Sequence, residues 1–178
     1  MTFAALVVLA LTQTQPAVDQ STNTGFVTAT YRGVKDFILR AAEKMPAEHF
    51  VFKPTPDVRS FRDLVAHLTD ANHLLCSPAL GVPNPNGEVV DATEKKALGR
   101  DELLTQLRAS FEPCDRAYSA LTDANAADPL PFFNAKRPRL GLLWFHTSHA
   151  YEHYGNMVTY LRLKGIVPPS SEPRPSGN

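Results

Sequence analysis

The sequence lacks an excess of either charge, because its 18 Lys and Arg residues equal its 18 Asp and Glu residues in number. Proteins dedicated to binding nucleic acid usually carry clustered positive charge that neutralises phosphates. Net neutrality, with no strongly basic region to offset it, argues against that function. We therefore expect no nucleic-acid partner.

Cysteine is also scarce, with two residues in a chain of 178. Two cysteines are too few for a small disulfide-framework protein or for a zinc site made of thiolates alone. Long apolar runs are missing as well, and none approaches the roughly 20 residues that a spanning helix needs. Because 43% of the residues are hydrophobic, the chain can still form a substantial core. Length and composition together predict one compact domain without a stable membrane span.

The two ends of the chain differ from its body. Residues 3–11 (FAALVVLAL) form a nine-residue apolar run, which is typical of the central region of a signal peptide, although no Lys or Arg precedes it. We therefore expect residues 1–20 to be a signal peptide and leader, and the protein to be exported to the periplasm or secreted. The alternatives are an N-terminal helix packed on the body, an uncleaved anchor, and a cytoplasmic protein. Residues 168–178 are rich in Pro and Ser and are predicted to be a disordered tail.

Proline is abundant, with 15 residues, and it falls in clusters. Because proline lacks a backbone N–H and clashes with the preceding turn, these clusters mark helix boundaries. They separate four segments, at 22–45, 60–77, 98–122 and 140–165, of which only the third is interrupted, by Pro113, where we expect a kink. Each segment has apolar residues at spacings of three and four, and alternating β-branched runs are absent. The pattern predicts an all-α protein, an antiparallel four-helix bundle over residues 22–167.

Two helix ends can be located from local motifs. Ser60 and Asp63 have the spacing of a capping box at the start of the second helix, and Gly165 is placed to end the fourth. The three connections between the helices are longer than bundle loops usually are. Long loops at one end of a bundle often cover a site.

Three histidines can meet in this bundle. His149 and His153 are four residues apart, so they lie about 40° apart around the fourth helix and one turn along it. His67 borders the apolar face of the second helix, where an imidazole without a partner is costly to bury. Spacing therefore favours a metal site formed by His67, His149 and His153. The alternative is that these are core histidines bonded to a backbone carbonyl or a tyrosine.

Two further residues are candidates for handling protons at this site. His146 shares the histidine face of the fourth helix, and Glu152 adjoins His153 in the sequence. We take both as candidate catalytic residues. The alternatives are a histidine that packs on a neighbouring helix and an exposed helix carboxylate. Asn156 lies one turn beyond His153 and is well placed to contact a ligand ring. Asp70 lies one turn from His67 and could make the same kind of contact, with exposure at the surface as its default.

Three stretches of the sequence, LVAHLTDA (64–71), HAYEHYGN (149–156) and YLRLKGIVPPS (160–170), resemble the DinB-like family of bacterial metal-binding four-helix bundles. The resemblance spans residues 22–170 and agrees in helix order and in the three-histidine pattern. It implies that His67, His149 and His153 bind a divalent metal ion. It also implies homodimers, and a transferase or isomerase activity that depends on small thiols in several members. The EHYGN sequence departs from the commoner family ending and indicates a side branch.

Three neutral imidazoles would leave a divalent ion with an open position, which is typical of catalytic sites. Such an ion lowers the pKa of bound water to roughly 7 or deprotonates a bound thiol. We therefore expect a metal-dependent thiol transferase or hydrolase that acts on a small molecule. A non-catalytic bundle that binds a metal or a partner is the alternative. Zinc, nickel, iron and manganese all suit three histidines.

The two cysteines, Cys76 and Cys114, allow two interpretations. In an exported protein they can form a disulfide bond, because the compartment is oxidising. In a reducing compartment they are buried thiols that act as small apolar residues. The sequence does not decide between the two.

Overall fold

The computed structural model describes residues 18–87 and 91–173. The predicted signal peptide lies outside the described residues apart from positions 18–20. The elements in chain order are α1 (Asn23–Lys44), α2 (Phe61–Leu80), α3 (Ala92–Lys95), α4 (Arg100–Ser119), β1 (Pro129–Phe132), β2 (Ala135–Pro138) and α5 (Arg139–Leu163), with short 3-10 helices at Ala47–His49 and Pro169–Ser171.

The four long helices form the bundle, which confirms the predicted all-α fold. α2 packs mainly on α4 and α5, and α1 packs mainly on α5. The neighbouring positions of α2 and α5 matter for function, because these two helices carry the three histidines. None of the helices in the described part of the chain has the length and apolar character that a membrane span requires.

The core is filled from all four long helices. Its largest fully buried side chains are Tyr31, Ile38, Met45, Phe61, Leu68, Leu103, Leu107, Phe111, Leu142, Leu143, Met157 and Leu161. Fully burying a side chain of this size contributes about 1.5–3 kcal/mol. Most of the apolar residues spaced three and four apart in the sequence face this core, whereas Phe26 and Phe145 are exposed.

The two predicted helix ends have the expected geometry. Ser60 Oγ accepts a hydrogen bond from Asp63 N at 3.1 Å, and Asp63 Oδ2 accepts one from Ser60 N at 3.3 Å. This is the predicted capping box of α2. Gly165 has φ +71, and the next residue, Ile166, donates its backbone N–H to Leu161 O. Glycine is suited to this left-handed position, and the bond closes the last turn of α5.

Two prolines lie inside helices. α2 continues through Pro78 to Leu80, three residues beyond the predicted end, and α4 is continuous across Pro113. The helix α2 ends at Gly81, which has φ +69 and donates to Pro78 O. Ser77 and Ala79 are buried on either side of Pro78, so packing in the core maintains the last turn despite the missing N–H group.

A β-hairpin was not predicted. β1 and β2 pair antiparallel, with Pro129 opposite Pro138 and Phe132 opposite Ala135. Three prolines within ten residues argue against a strand in the interior of a sheet. A two-stranded hairpin has only edge strands, which tolerate proline because one side of each strand needs no partner.

The C-terminal segment is ordered further than the sequence indicates. Residues 168–173 were predicted to belong to a disordered tail, but they include a 3-10 helix beside α1. Tyr154 Oη donates to Ser170 Oγ at 2.8 Å and accepts from Ser170 N at 2.9 Å. Glu172 forms ion pairs with Arg40 and Lys44 of α1. Polar contacts therefore hold a segment that has little apolar surface, and residues 174–178 lie outside the described residues.

The two cysteines form a disulfide bond. Cys76 of α2 and Cys114 of α4 are joined, with 4.9 Å between their Cα atoms. Both side chains are fully buried. The bridge connects the helix that carries His67 to the neighbouring helix, and the bonded state is thus the one of the two that this structure has.

Candidate metal centre

Three histidines from two helices converge on one point. His67 of α2 and His149 of α5 have their Nε2 atoms 3.3 Å apart, and the Nε2 atoms of His149 and His153 are 2.9 Å apart. One ring nitrogen from each of the three lies within 4.8 Å of the other two. The structure thus brings together the three residues that were predicted to bind a metal.

Helix geometry explains this arrangement. Residues four apart lie on the same face of a helix, so His149 and His153 project side by side from α5. His67 faces them because α2 packs directly on α5. His153 is buried, whereas His67 and His149 are partly exposed. The cluster therefore lies at the edge of the core, with one side accessible to a small molecule.

The spacing of the nitrogens fits a divalent metal ion. Histidine nitrogens bind zinc at roughly 2.0–2.1 Å, so two of them are about 2.9 Å apart at a right angle and about 3.4 Å apart at a tetrahedral angle. The two Nε2–Nε2 distances, 2.9 and 3.3 Å, agree with these values. The donor set is therefore suited to a shared cation.

Electrostatics keeps these rings in the form that binds metals. Burial, and after it the neighbouring His149 and His67 rings, together lower the pKa of His153 to about 3. Burial and His67 also lower the pKa of His149. Both rings are therefore neutral at pH 7. A neutral imidazole offers a lone pair, whereas a protonated one must lose its proton before it binds a metal.

Asp91 orients His67. A carboxylate accepts hydrogen bonds, so His67 Nδ1–H donates to Asp91 Oδ1 at 2.8 Å, and the lone pair of Nε2 points toward the cluster. Burial alone would raise the pKa of Asp91, but the hydrogen bond from His67 and the charge of Arg59 outweigh it and lower that pKa. His153 lacks such a contact, because its Nδ1 is buried without a partner among the described residues.

Sequence reasoning missed Asp91. It lies 24 residues after His67, in a long loop, with φ +57. No spacing rule connects a loop residue to a helix residue at that distance. The sequence feature that comes nearest to indicating this position is the residue type, since Asp adopts the left-handed backbone conformation found here more readily than most residues.

Asp70 holds the loop that carries Asp91. It was expected to be exposed by default, but it is buried, and it accepts hydrogen bonds from Thr93 N at 2.8 Å, Thr93 Oγ1 at 2.6 Å and Asn86 Nδ2 at 2.7 Å. These bonds fix both sides of the loop to α2. Asp70 therefore positions Asp91 without itself contacting a histidine of the cluster.

His146 is separated from the cluster and lies in a buried polar network. Asn72 Nδ2 donates to Ser110 Oγ at 2.9 Å, which directs Asn72 Oδ1 at His146 Nε2, 3.0 Å away. His146 Nε2–H therefore donates to Asn72, and Nδ1 lies 2.9 Å from Tyr118 Oη, whose own proton is donated to Leu143 O. Only 1% of His146 is exposed. Both ring nitrogens have polar partners within the protein. This agrees with the alternative interpretation of the sequence, in which His146 packs on a neighbouring helix.

The buried state of His146 predicts an acid-sensitive fold. Burial lowers its pKa from 6.5 to about 3. As the pH falls, His146 is therefore protonated in the unfolded chain before it is protonated in the folded protein. Its contribution to stability is full above about pH 6.5 and is lost progressively toward pH 3. We expect His146→Gln to reduce the fall in the free energy of unfolding between pH 7 and pH 4 by about 3 kcal/mol.

This prediction is checked by urea denaturation of chelator-treated protein across that pH range. His49→Gln serves as the control, since His49 lies in the 3-10 helix after α1, away from this network. The pH dependence should stay unchanged in the control. Equal pH dependence in His146→Gln and wild type would contradict the assignment.

Two pockets flank the histidine cluster. A pocket of about 490 Å³ is lined by His153, Arg59, Glu152 and Asn156, among others. A smaller pocket of about 210 Å³ is lined by His67 and His149 together with apolar side chains. Glu152 and Asn156 are exposed, at the surface of the larger pocket. Glu152 as a proton-handling residue stays a prediction.

The fold and the cluster define a four-helix bundle with a three-histidine site, and the comparisons with known proteins agree. The family model of the DinB superfamily matches residues 31–157. Because this is more than half of the chain, the protein belongs to the DinB superfamily, as the sequence resemblance indicated. No curated protein matches the sequence.

Solved structures show the same fold. A DinB-like protein from Bacillus subtilis is 20% identical, with a TM-score of 0.63 over 80% of this chain and 93% of that one. A DinB-like protein from Bacillus cereus is 18% identical, with a TM-score of 0.66 over 82% and 94%. A mycothiol-dependent maleylpyruvate isomerase is 14% identical, with a TM-score of 0.63 over 78% and 62%. At these identities the likeness concerns the fold alone.

Proposed function

We propose that the protein binds one divalent metal ion through His67, His149 and His153 and acts on a small molecule at an open position of that ion. The convergence of three Nε2 atoms, at 2.9 and 3.3 Å between neighbours, carries the proposal. Zinc, nickel, iron and manganese all suit this donor set.

The reaction that we propose is thiol transfer or hydrolysis. A bound divalent ion supplies Lewis acidity and lowers the pKa of water or of a thiol at its open position. The isomerase of the same fold is described as mycothiol-dependent, which supports a thiol as one candidate substrate. In this chain Asp91 holds His67 in place, and Glu152 lies where a proton could be exchanged with solvent in the larger pocket.

A pair of activity assays tests this proposal. We expect thiol transferase or esterase activity that falls at least about 100-fold when a chelator removes the metal, because both reactions need the Lewis acid. Activity should return when a divalent metal is added back. His49→Ala, outside the site, should keep the wild-type rate. A measurable rate that does not change after complete metal removal would refute the metal-dependent mechanism.

A non-catalytic metal-binding bundle is the second candidate, and two observations favour it. Both ring nitrogens of His146 are engaged in the core. Glu152 is exposed, and within the described ranges it forms no hydrogen bond to the histidine cluster. A protein that binds metal fully but accelerates neither thiol transfer nor ester hydrolysis would support this second candidate.

We propose that the protein functions in an oxidising compartment outside the cytoplasm. The apolar run at residues 3–11 and the buried Cys76–Cys114 disulfide support this location, because disulfide bonds persist in exported proteins and are rare in the cytosol.

A further inference from the structure

The tip of the β1–β2 hairpin holds an aromatic residue in an unfavourable conformation. Phe133 has φ +48, in the left-handed region that bulky residues rarely adopt, and 74% of it is exposed. The left-handed conformation costs roughly 1–2 kcal/mol for an L-residue. Because most of the Phe133 side chain is exposed, its burial offsets little of that cost. Conformational strain of this kind is concentrated at functional positions.

Phe133 lies beside the histidine cluster. It lines the 210 Å³ pocket together with Phe145, His67 and His149. The ring of Phe132 contacts both Phe133 and Phe145 edge to face, with centroids 4.7 and 5.2 Å away. The ring of Phe145 in turn is nearly parallel to that of His149, at 6.4 Å and 22°. A row of aromatic rings therefore runs from the hairpin tip to a residue of the cluster, and two of these rings, Phe133 and Phe145, form the aromatic wall of the pocket.

Apolar side chains of α2 also line the pocket, and its two carboxylates are already paired. The apolar residues are Leu74, Leu75 and Ala71. Asp70 is bonded to Thr93 and Asn86, and Asp91 is bonded to His67. No Lys or Arg is present among the described residues that line this pocket. An anionic group would face two carboxylates there without a cation from the protein.

The volume of the pocket suits a single ring. An apolar cavity of about 150 Å³ is large enough to bind benzene. A pocket of about 210 Å³ therefore accepts one aromatic ring with a short substituent. Aromatic side chains favour such a ring through offset or edge-to-face contacts.

We propose that this pocket binds an uncharged aromatic group of the substrate and that Phe133 is a specificity-determining residue. The inference deepens the proposed function and rests on it in one respect: the bound group would lie next to the metal-binding histidines. The recognition itself uses the aromatic wall and does not need the metal. An uncharged aryl compound therefore binds the chelator-treated protein, and its carboxylate analogue binds it more weakly.

The probes that test this are 4-fluorobenzyl alcohol and 4-fluorobenzoate, which share a ring and differ in charge. Their dissociation constants are measured by fluorine NMR titration of chelator-treated full-length protein. We expect the alcohol to bind at least about tenfold more tightly than the benzoate, because desolvating a charge without a partner is costly. Equal or tighter binding of the benzoate would overturn the inference.

Phe133→Asn removes the ring but keeps a residue that tolerates the left-handed conformation. We expect it to weaken binding of the alcohol about tenfold, through lost apolar contact, and to melt at the wild-type temperature or higher. Phe26→Asn is the matched control, since Phe26 is 52% exposed on α1 and lines a different groove. Alcohol binding that is unchanged in Phe133→Asn, or reduced equally in both variants, would refute the role of Phe133.

Metal analysis of the same samples separates this inference from the proposed function. Alcohol binding without stoichiometric metal in the untreated protein would refute the metal site and leave the aromatic pocket standing. Full metal content without any alcohol binding would refute the pocket and leave the metal site standing.

Discussion

His67→Ala and His153→Ala are each expected to abolish the stoichiometric metal binding of the wild-type protein. Each variant leaves two imidazoles where the wild type has three within 4.8 Å of one another. Loss of an outer-shell partner alone costs roughly 10–100-fold in metal affinity, and loss of a direct ligand should cost more. Elemental analysis after dialysis, followed by calorimetric titration with zinc, measures the effect.

Two further variants make this experiment specific. His49→Ala, which changes a histidine outside the site, should keep one equivalent of metal. Asp91→Asn should bind metal about 10–100-fold more weakly, because the neutral amide no longer fixes the orientation and basicity of His67. Equal metal content in all four variants and the wild type would refute the three-histidine site.

The second large effect concerns the disulfide bond. Cys76 and Cys114 are 38 residues apart in the sequence. Closing a loop of that length lowers the conformational entropy of the unfolded chain, which stabilises the folded state by about 4 kcal/mol. The double variant Cys76→Ala/Cys114→Ala is therefore expected to lower the free energy of unfolding by about 4 kcal/mol. Urea denaturation with and without a reductant measures the difference, and only the wild type should respond to the reductant.

The same double variant should still bind metal. Cys76 lies nine residues from His67, about 13 Å along α2, and the histidine cluster receives no ligand from either sulfur. A free energy of unfolding within about 1 kcal/mol of wild type would contradict the stabilising role of the bridge. Loss of metal together with unchanged stability would show that the bridge shapes the site instead.

Much of the fold could be read from local patterns, because helix formation depends on residues that are near in sequence. Clusters of proline separated the helices, and apolar spacing identified the faces that pack in the core. The Ser60–Asp63 capping box and the Gly165 helix end followed from hydrogen bonds within one turn. Local patterns failed at Pro78, where buried neighbours outweigh the missing hydrogen bond, and at residues 168–173, where contacts with Tyr154 and α1 impose order.

The sequence by itself determined that His149 and His153 lie side by side, since the helical repeat places residues four apart on one face. It also indicated His67 as their partner, from its position on an apolar helix face. Only the tertiary structure decided that Asp91 orients His67, that His146 belongs to the core, that the cysteines pair and that Phe133 lines a pocket. Each of these joins residues distant in sequence, and long-range contacts depend on how elements pack rather than on any local spacing.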